Sequence, residues 1–129
     1  MLFSGIDSII IENISLKGGD ESLITNKSGI KIQNAEKVLI KYVVFESISA
    51  IRINGGALFL ESIVSCLITN SDFLRNNVFN DLDDRWGNGG AIYISSSKMS
   101  LISCRFEGNT AECRSFYLNI LRFLSINNV

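Results

Sequence analysis

Three carboxylates in one loop are the residues of this chain with the clearest potential for chemistry. Residues 80–88 read NDLDDRWGN, which places Asp81, Asp83 and Asp84 close together. Calcium prefers hard oxygen ligands, so these three residues are a candidate metal site. The loop is not an EF-hand, because the twelfth position from Asp81 is Ile92 instead of glutamate. The alternative, which we favour, is a solvated acidic loop.

Other reactive side chains are scarce. The chain has no histidine, so the commonest general base and metal ligand is missing. Its three cysteines, Cys66, Cys104 and Cys113, lack the CxxC spacing of zinc sites. We expect them to be small buried apolar side chains, and the sequence leaves their redox state open.

An enzyme would have to be built from the remaining ionisable groups. Hydrolysis of the polygalacturonase kind combines clustered aspartates with a histidine, which is absent. A calcium-assisted polysaccharide lyase stays an alternative, with Asp83 and Asp84 as metal ligands and Arg85 or Arg105 as the base. We therefore predict no catalytic residue and no cofactor.

Composition predicts one folded unit without an electrostatic partner. The 129 residues are 47% apolar and 19% charged, which is far from the composition of a disordered chain. A net charge of -1 predicts no nucleic-acid binding. No window approaches the ~18 to 20 apolar residues of a membrane span, and the N-terminus lacks the basic region of a signal peptide. We expect no direct membrane insertion by this segment.

Two sequence elements recur and reveal an internal repeat. GGALFL at 55–60 returns as GGAIYI at 89–94, and FLRN at 73–76 returns as FEGN at 106–109. Apolar residues stand seven, five, two and zero positions before a series of anchors separated by 29, 28 and 33 residues. The anchors are Leu16, Phe45, Phe73 and Phe106.

The repeat unit predicts short strands that coil into a solenoid. Its apolar residues alternate with period two and are rich in isoleucine, valine and phenylalanine, which favours strands over helices. The polar residues between strands are too few for a crossover helix. Equivalent strands then stack in parallel about 4.8 Å apart. Side chains alternate along a strand, so positions minus five and minus two, which are three residues apart, would point to opposite faces. A bend or bulge between them is therefore required for all four apolar positions to face one core.

These motifs resemble a known family. GGALFL, GGAIYI, FLRN and FEGN are similar to the GGA(I/L) and FxxN tetrapeptides of the polymorphic outer-membrane protein repeats, over about residues 54–111. The resemblance implies an all-β, right-handed, single-stranded parallel β-helix of pectin-lyase-like shape. The count of repeats predicts about four to five rungs. In bacterial members it implies a cell-surface or extracellular passenger involved in adhesion. Upstream the pattern departs, with Ile48 in place of the asparagine and Lys27-Ser28 in place of the glycine pair.

The paired glycines and the asparagines are interpreted as structural. Stacked rungs leave little room for a Cβ at a corner, and a phosphate-binding loop would need a following helix and a lysine. Lys27-Ser28 and Cys113-Arg114 occupy equivalent places, so we expect no obligatory positive φ at every rung. The asparagine amides are expected to bond backbone groups and each other. The residues concerned are Gly55, Gly56, Ala57, Asn76, Gly89, Gly90, Ala91 and Asn109, together with the anchors Phe73 and Phe106.

One outward column is a candidate binding surface. The residue between two inward-facing positions points out, and the column so defined contains Lys31, Phe59, Tyr93 and Tyr117. Stacked aromatics can bind a glycan or a partner protein. The alternative, which we favour, is cross-strand aromatic pairing that stabilises the sheet without a ligand.

Taken together, the sequence predicts a single β-helix segment over residues 1–129 that belongs to a longer repeat protein. It starts without a polar cap and stops inside a strand pattern, so neighbouring rungs of the same chain are expected partners. The predicted role is a non-enzymatic scaffold of an adhesin-like surface protein, with a candidate glycan- or protein-binding face. A fragment of a pectin-lyase-like carbohydrate-active enzyme and a purely structural spacer are the alternatives.

Overall fold

A computed structural model describes residues 1–18, 28–51, 53–79 and 89–111, and the backbone of 117–119 and 122–127. These residues form strands and turns without a helix. The strands are β1 (Leu2–Ser4), β2 (Ser8–Glu12), β3 (Ser15–Lys17), β4 (Ile30–Lys41), β5 (Val44–Glu46), β6 (Ser49–Ile51), β7 (Leu58–Thr69), β8 (Asp72–Leu74), β9 (Asn77–Phe79), β10 (Ile92–Ser95), β11 (Lys98–Ile102), β12 (Arg105–Glu107), β13 (Thr110–Ala111), β14 (Tyr117–Asn119) and β15 (Arg122–Asn127).

The strands stack as a parallel β-solenoid, which confirms the predicted fold class. The first sheet has the order β1-β4-β7-β10-β14, with β2 beside β4, β11 beside β7 and β15 beside β11. The second sheet has the order β3-β5-β8-β12 and the third β6-β9-β13. Strand pairing in all three sheets is parallel, and each strand pairs with its equivalent one pass later along the chain.

The register agrees with the alignment of the repeats. The anchors pair in series, Leu16 with Phe45, Phe45 with Phe73 and Phe73 with Phe106. Seven positions upstream, Cys66 pairs with Met99. Like residues therefore lie above like residues, as the repeat predicted.

The predicted corner between offsets minus five and minus two is a single left-handed residue. Asn13, Tyr42, Asn70 and Ser103 occupy it, with φ of 55°, 53°, 47° and 52°. A left-handed residue reverses the local alternation, so the apolar residues on both sides of it point inward. This conformation costs an ordinary residue roughly 1–2 kcal/mol, but asparagine much less.

The core is a set of columns running along the solenoid. The rings of Phe45, Phe73 and Phe106 stack with centroids 4.7 and 4.9 Å apart and nearly parallel planes. The large side chains that are fully buried beside them are aliphatic or methionine, and they alternate along the strands as predicted. They are Ile30, Ile32, Ile40, Leu58, Leu60, Ile63, Ile68, Ile92, Ile94 and Met99.

Candidate functional site: inner ladders and outer columns

The asparagines of the FxxN motifs form a hydrogen-bonded ladder between successive rungs of the solenoid, which we call levels. Asn76 is fully buried, and its Nδ2 donates to the carbonyl oxygen of Phe45 at 3.0 Å. Its Oδ1 accepts from the backbone N–H of Ile48 at 3.1 Å. Asn109 repeats this one level later, where Nδ2 donates to the carbonyl of Phe73 at 2.7 Å and Oδ1 accepts from the backbone N–H of Asn76 at 3.0 Å. The amide thus satisfies backbone groups that the bend between sheets leaves without a ladder partner.

The two asparagine side chains also contact each other. Asn76 Nδ2 donates to Asn109 Oδ1 at 2.9 Å. The ladder therefore uses both donors of Asn76, and no free polar atom is left there to act on a ligand. Among the described residues, every buried side-chain nitrogen and oxygen has a hydrogen-bond partner.

A second inner ladder uses small hydroxyl and thiol side chains. Ser71 Oγ accepts from the backbone N–H of Val43 at 3.2 Å and donates to the carbonyl of Thr69 at 2.9 Å. Ser97 makes the same pair of bonds, from Ile63 and to Ser95. In each case one hydroxyl joins its own level to the level before it.

The surroundings of Cys66 and Cys104 indicate a structural role. Cys104 takes the place of Ser71 one level later, and its Sγ lies 3.4 Å from the carbonyl oxygens of Ile68 and Ile102. Burial raises the pKa of the Cys66 thiol to about 12, and burial also raises the pKa of Cys104. Both are free and buried, which keeps them protonated and unreactive. Cys113 lies outside the described residues.

The paired glycines form a corner with no space for side chains. Gly55 and Gly89 have φ of +75° and +68°, a conformation that favours glycine. A Cβ on Gly56 would overlap the carbonyl oxygen of Gly90, which stacks on it. A Cβ on Gly90 would likewise overlap the backbone of Thr110. Ala57 and Ala91 follow as buried residues directly before β7 and β10. Lys27 and Cys113, the equivalents of Gly55 and Gly89, lie outside the described residues, whereas Ser28, the equivalent of Gly56, donates a hydrogen bond from Oγ to the carbonyl of Asn54 at 3.3 Å.

The predicted aromatic column exists in the predicted register. Phe59 pairs with Lys31 on one side and with Tyr93 on the other, and Tyr93 pairs with Tyr117. Leu2 pairs with Lys31 and extends the column by one level. The side chains of Lys31, Phe59 and Tyr93 are half-buried.

Two rings in this column stack face to face. The centroids of Phe59 and Tyr93 are 5.1 Å apart with an interplanar angle of 20°. The opposite face of Phe59 carries the Lys31 ammonium, whose Nζ is 4.7 Å from the ring centroid. Sugars bind aromatic residues mainly through the ring face, and both faces of Phe59 are occupied. The column therefore offers ring edges to a partner.

A column of polar groups runs beside the aromatic one. Ser4, Gln33, Glu61 and Ser95 pair in series two residues further along the same strands. Gln33 donates a hydrogen bond from Nε2 to the Glu61 carboxylate. Hydrogen-bonding groups and ring edges thus lie side by side on the outer face of the first sheet.

Ion pairs link levels on the second sheet. Glu46 lies between Lys17, with Nζ 3.6 Å from its carboxylate, and Arg75, which donates to the same carboxylate. One level later Arg105 pairs with Asp72 at 3.0 Å and lies 4.0 Å from Glu107. Arg105, a candidate base in the lyase alternative, is therefore held between two carboxylates. Exposed pairs of this kind contribute about 0–1 kcal/mol each.

The structure reveals an outward aliphatic column that the sequence prediction did not include. Ile10, Leu39 and Leu67 pair in series on the outer face of the first sheet, and Ile10 is 63% exposed. Leu39 and Leu67 are half-buried. Val64 on β7 and Ile102 on β11 are exposed. The signal was present, because Ile10 and its equivalents stand six positions before each anchor, between two inward apolar residues.

The acidic loop has no described position, since Asp81, Asp83 and Asp84 lie outside the described residues. Within the described ranges, no group of three or more histidine, cysteine, aspartate or glutamate residues is arranged to hold a metal ion. No helix in that part of the chain is long and apolar enough to cross a bilayer.

Comparisons of this chain with protein-family models, with curated proteins and with solved structures found no match.

Proposed function

We propose that this chain is a segment of a non-enzymatic, adhesin-like surface protein, in which it serves as a rigid scaffold that presents side-chain columns to a partner. The observation that carries the proposal is the repetition of the same inner ladders and outer columns at successive levels. Asn76 and Asn109, 33 residues apart, make equivalent bonds between levels, and Ser71 and Cys104 each also bond the level before their own. Repeated cross-level bonds resist bending and sliding of the rungs, which suits a stiff support.

The GGA(I/L) and FxxN motifs support the proposed class by resemblance. The aromatic column supports a binding face, in which Phe59 and Tyr93 contribute ring edges and Lys31 contributes a charge held over a ring. A protein surface can pack against ring edges and the neighbouring polar column. This geometry favours a protein partner over a glycan that stacks on ring faces.

The experiment is a binding assay of the purified chain against cell-surface proteins and a glycan panel. Phe59→Ser and Tyr93→Ser are expected to abolish binding. The matched control is Val44→Ser, which removes an outward apolar side chain from the second sheet, outside both columns. Circular dichroism and thermal unfolding confirm that each variant is folded, and Phe59→Leu separates the loss of the ring from the loss of apolar area.

The alternatives have distinct outcomes. Cleavage of an acidic polysaccharide that stops on addition of a chelator would overturn the scaffold proposal in favour of the lyase. A folded chain that shows neither binding nor cleavage would favour the alternative of a purely structural spacer.

A further inference from the structure

The corner between β2 and β3 carries an acceptor sequence for N-linked glycosylation. Residues 13–15 read Asn13-Ile14-Ser15, which has the N-x-[ST] pattern. Asn13 is the left-handed corner residue of this level, with φ of 55°, and its side chain is exposed. Ser15 is exposed as well and begins β3.

The corner directs these two side chains away from the core. Ile14, between them, packs against the hydrophobic core, so its neighbours on both sides point outward. The backbone N–H of Asn13 donates to the carbonyl of Lys41 at 3.2 Å, and this bond does not involve the side chain. A glycan on the side chain would therefore leave the contacts between levels intact.

Asn13 lies outside the inner ladder that the FxxN asparagines form. The amides of Asn76 and Asn109 are consumed in the inner ladder. Asn70 occupies the same corner two levels later and is also exposed, but Asp72 stands where the hydroxyl residue would be required. Asn70 is thus a natural comparison with the same backbone conformation and without the acceptor sequence, although its Nδ2 donates an exposed bond to Thr69 Oγ1 at 2.9 Å.

We propose that Asn13 is an N-glycan acceptor. In the transfer, Nδ2 of Asn13 forms a bond to C1 of the first sugar of a lipid-linked oligosaccharide. The bond between C1 and the pyrophosphate oxygen breaks, the lipid pyrophosphate leaves, and one Nδ2 proton passes to a base of the transferase. The inference rests on the proposed surface location, since the chain must meet this donor on a secretory route.

The test is secretion of the full chain, behind an added signal sequence, from cultured eukaryotic cells. Residues 26–28 read Asn26-Lys27-Ser28, a second acceptor sequence, so Asn26→Gln is present in all variants. Mass before and after peptide N-glycosidase treatment is expected to show one glycan. Asn13→Gln and Ser15→Ala are expected to abolish it, and Ser15→Thr to retain it.

Asp72→Thr serves as the matched control, because it completes an acceptor sequence that begins at Asn70 in the equivalent corner. A glycan gained there shows that the host and the corner are both competent. A secreted chain without a glycan at Asn13 overturns the proposal. Since the signal sequence is added, this outcome concerns the acceptor alone, whereas failure of the proposed scaffold function appears in the binding and cleavage assays.

Discussion

Backbone geometry at the corners explains several of the residue types found there. Asn13 and Asn70 suit the left-handed corner because asparagine adopts this conformation at low cost. Tyr42 occupies the same corner and is a bulky residue without that property. It is 56% exposed, so little packing compensates for its conformation.

Replacing Tyr42 by asparagine is therefore expected to stabilise the protein. We expect Tyr42→Asn to raise the free energy of unfolding by about 0.5–1 kcal/mol, because it removes the conformational cost at an exposed site. Denaturant unfolding measures the change. Tyr42→Phe keeps the cost and should leave stability unchanged, and a destabilised Tyr42→Asn would contradict the assignment of strain to this corner.

The buried thiol of Cys66 makes stability depend on pH in the alkaline range. Its pKa is about 12 in the folded protein, against an ordinary value of 9.0 that applies when the chain unfolds. Above pH 9 the unfolded state releases this proton and the folded state retains it, so the contribution destabilises the fold increasingly from pH 9 to about 12. Unfolding of the wild type and of Cys66→Val, followed from about pH 8 to 11, should show a shallower loss in the variant. Parallel curves would contradict the prediction.

Elements are joined by ladders in which one side chain serves two levels. The strands of the second and third sheets are only two or three residues long, too short to hold a register alone. The asparagine ladder connects these sheets at the bend, where the pairing of strands is interrupted. It follows that the FxxN motif specifies how levels are joined, in addition to marking a turn.

Loss of one amide from this ladder is expected to be costly. Asn76→Ala leaves the carbonyl of Phe45 and the N–H of Ile48 without their partner in a buried place. We expect a loss of about 2–3 kcal/mol, measured by denaturant unfolding. Asn77→Ala is the control, since its Oδ1 accepts an exposed bond from the Thr110 hydroxyl. Equal losses in the free energy of unfolding would show that the buried ladder bonds stabilise the fold no more than an exposed bond.

On the scale of the whole molecule, the outer surface is divided into columns of different character. The aromatic column of Lys31, Phe59 and Tyr93 and the aliphatic column of Ile10, Leu39 and Leu67 lie on different parts of the first sheet. The second sheet carries ion pairs between levels, and one further ion pair, between Lys41 and Glu12, lies on the first sheet. Contiguous exposed apolar area favours association with another surface.

The aliphatic column is expected to cause self-association of the isolated chain. Leu39→Thr combined with Leu67→Thr keeps residues that suit a strand and removes the apolar surface. Sedimentation velocity over a range of concentrations should show a smaller associated fraction for this double variant. Val44→Thr, an outward apolar residue of the second sheet, should leave association unchanged, and an equal effect of both changes would contradict the role of the column.

Much of the architecture could be predicted because it rests on periodic features. The anchor spacing determined which residues pair, and the observed pairs of Phe45 with Phe73 and Phe59 with Tyr93 agree with it. The corner was predicted as a bend or bulge, whereas its left-handed residue emerged only in the folded chain, since Tyr42 gives no sign of that conformation. The outward aliphatic column was not predicted, although Leu39 and Leu67 stand between two inward positions of the repeat, because an uninterrupted apolar run does not by itself separate surface from core positions.

The sequence by itself determined the repeat, the inward positions and the outward aromatic column, because alternation and stacking convert spacing directly into neighbours. Only the tertiary structure determined which hydrogen bonds and ring contacts these neighbours form. The bonds from Asn76 to Phe45 and Ile48 join residues 31 and 28 positions apart, and they exist only after the levels have stacked. The same holds for the two faces of Phe59, which are occupied by the level before and the level after it. Spacing places side chains together, whereas the orientation of an amide or a ring depends on the groups that close around it.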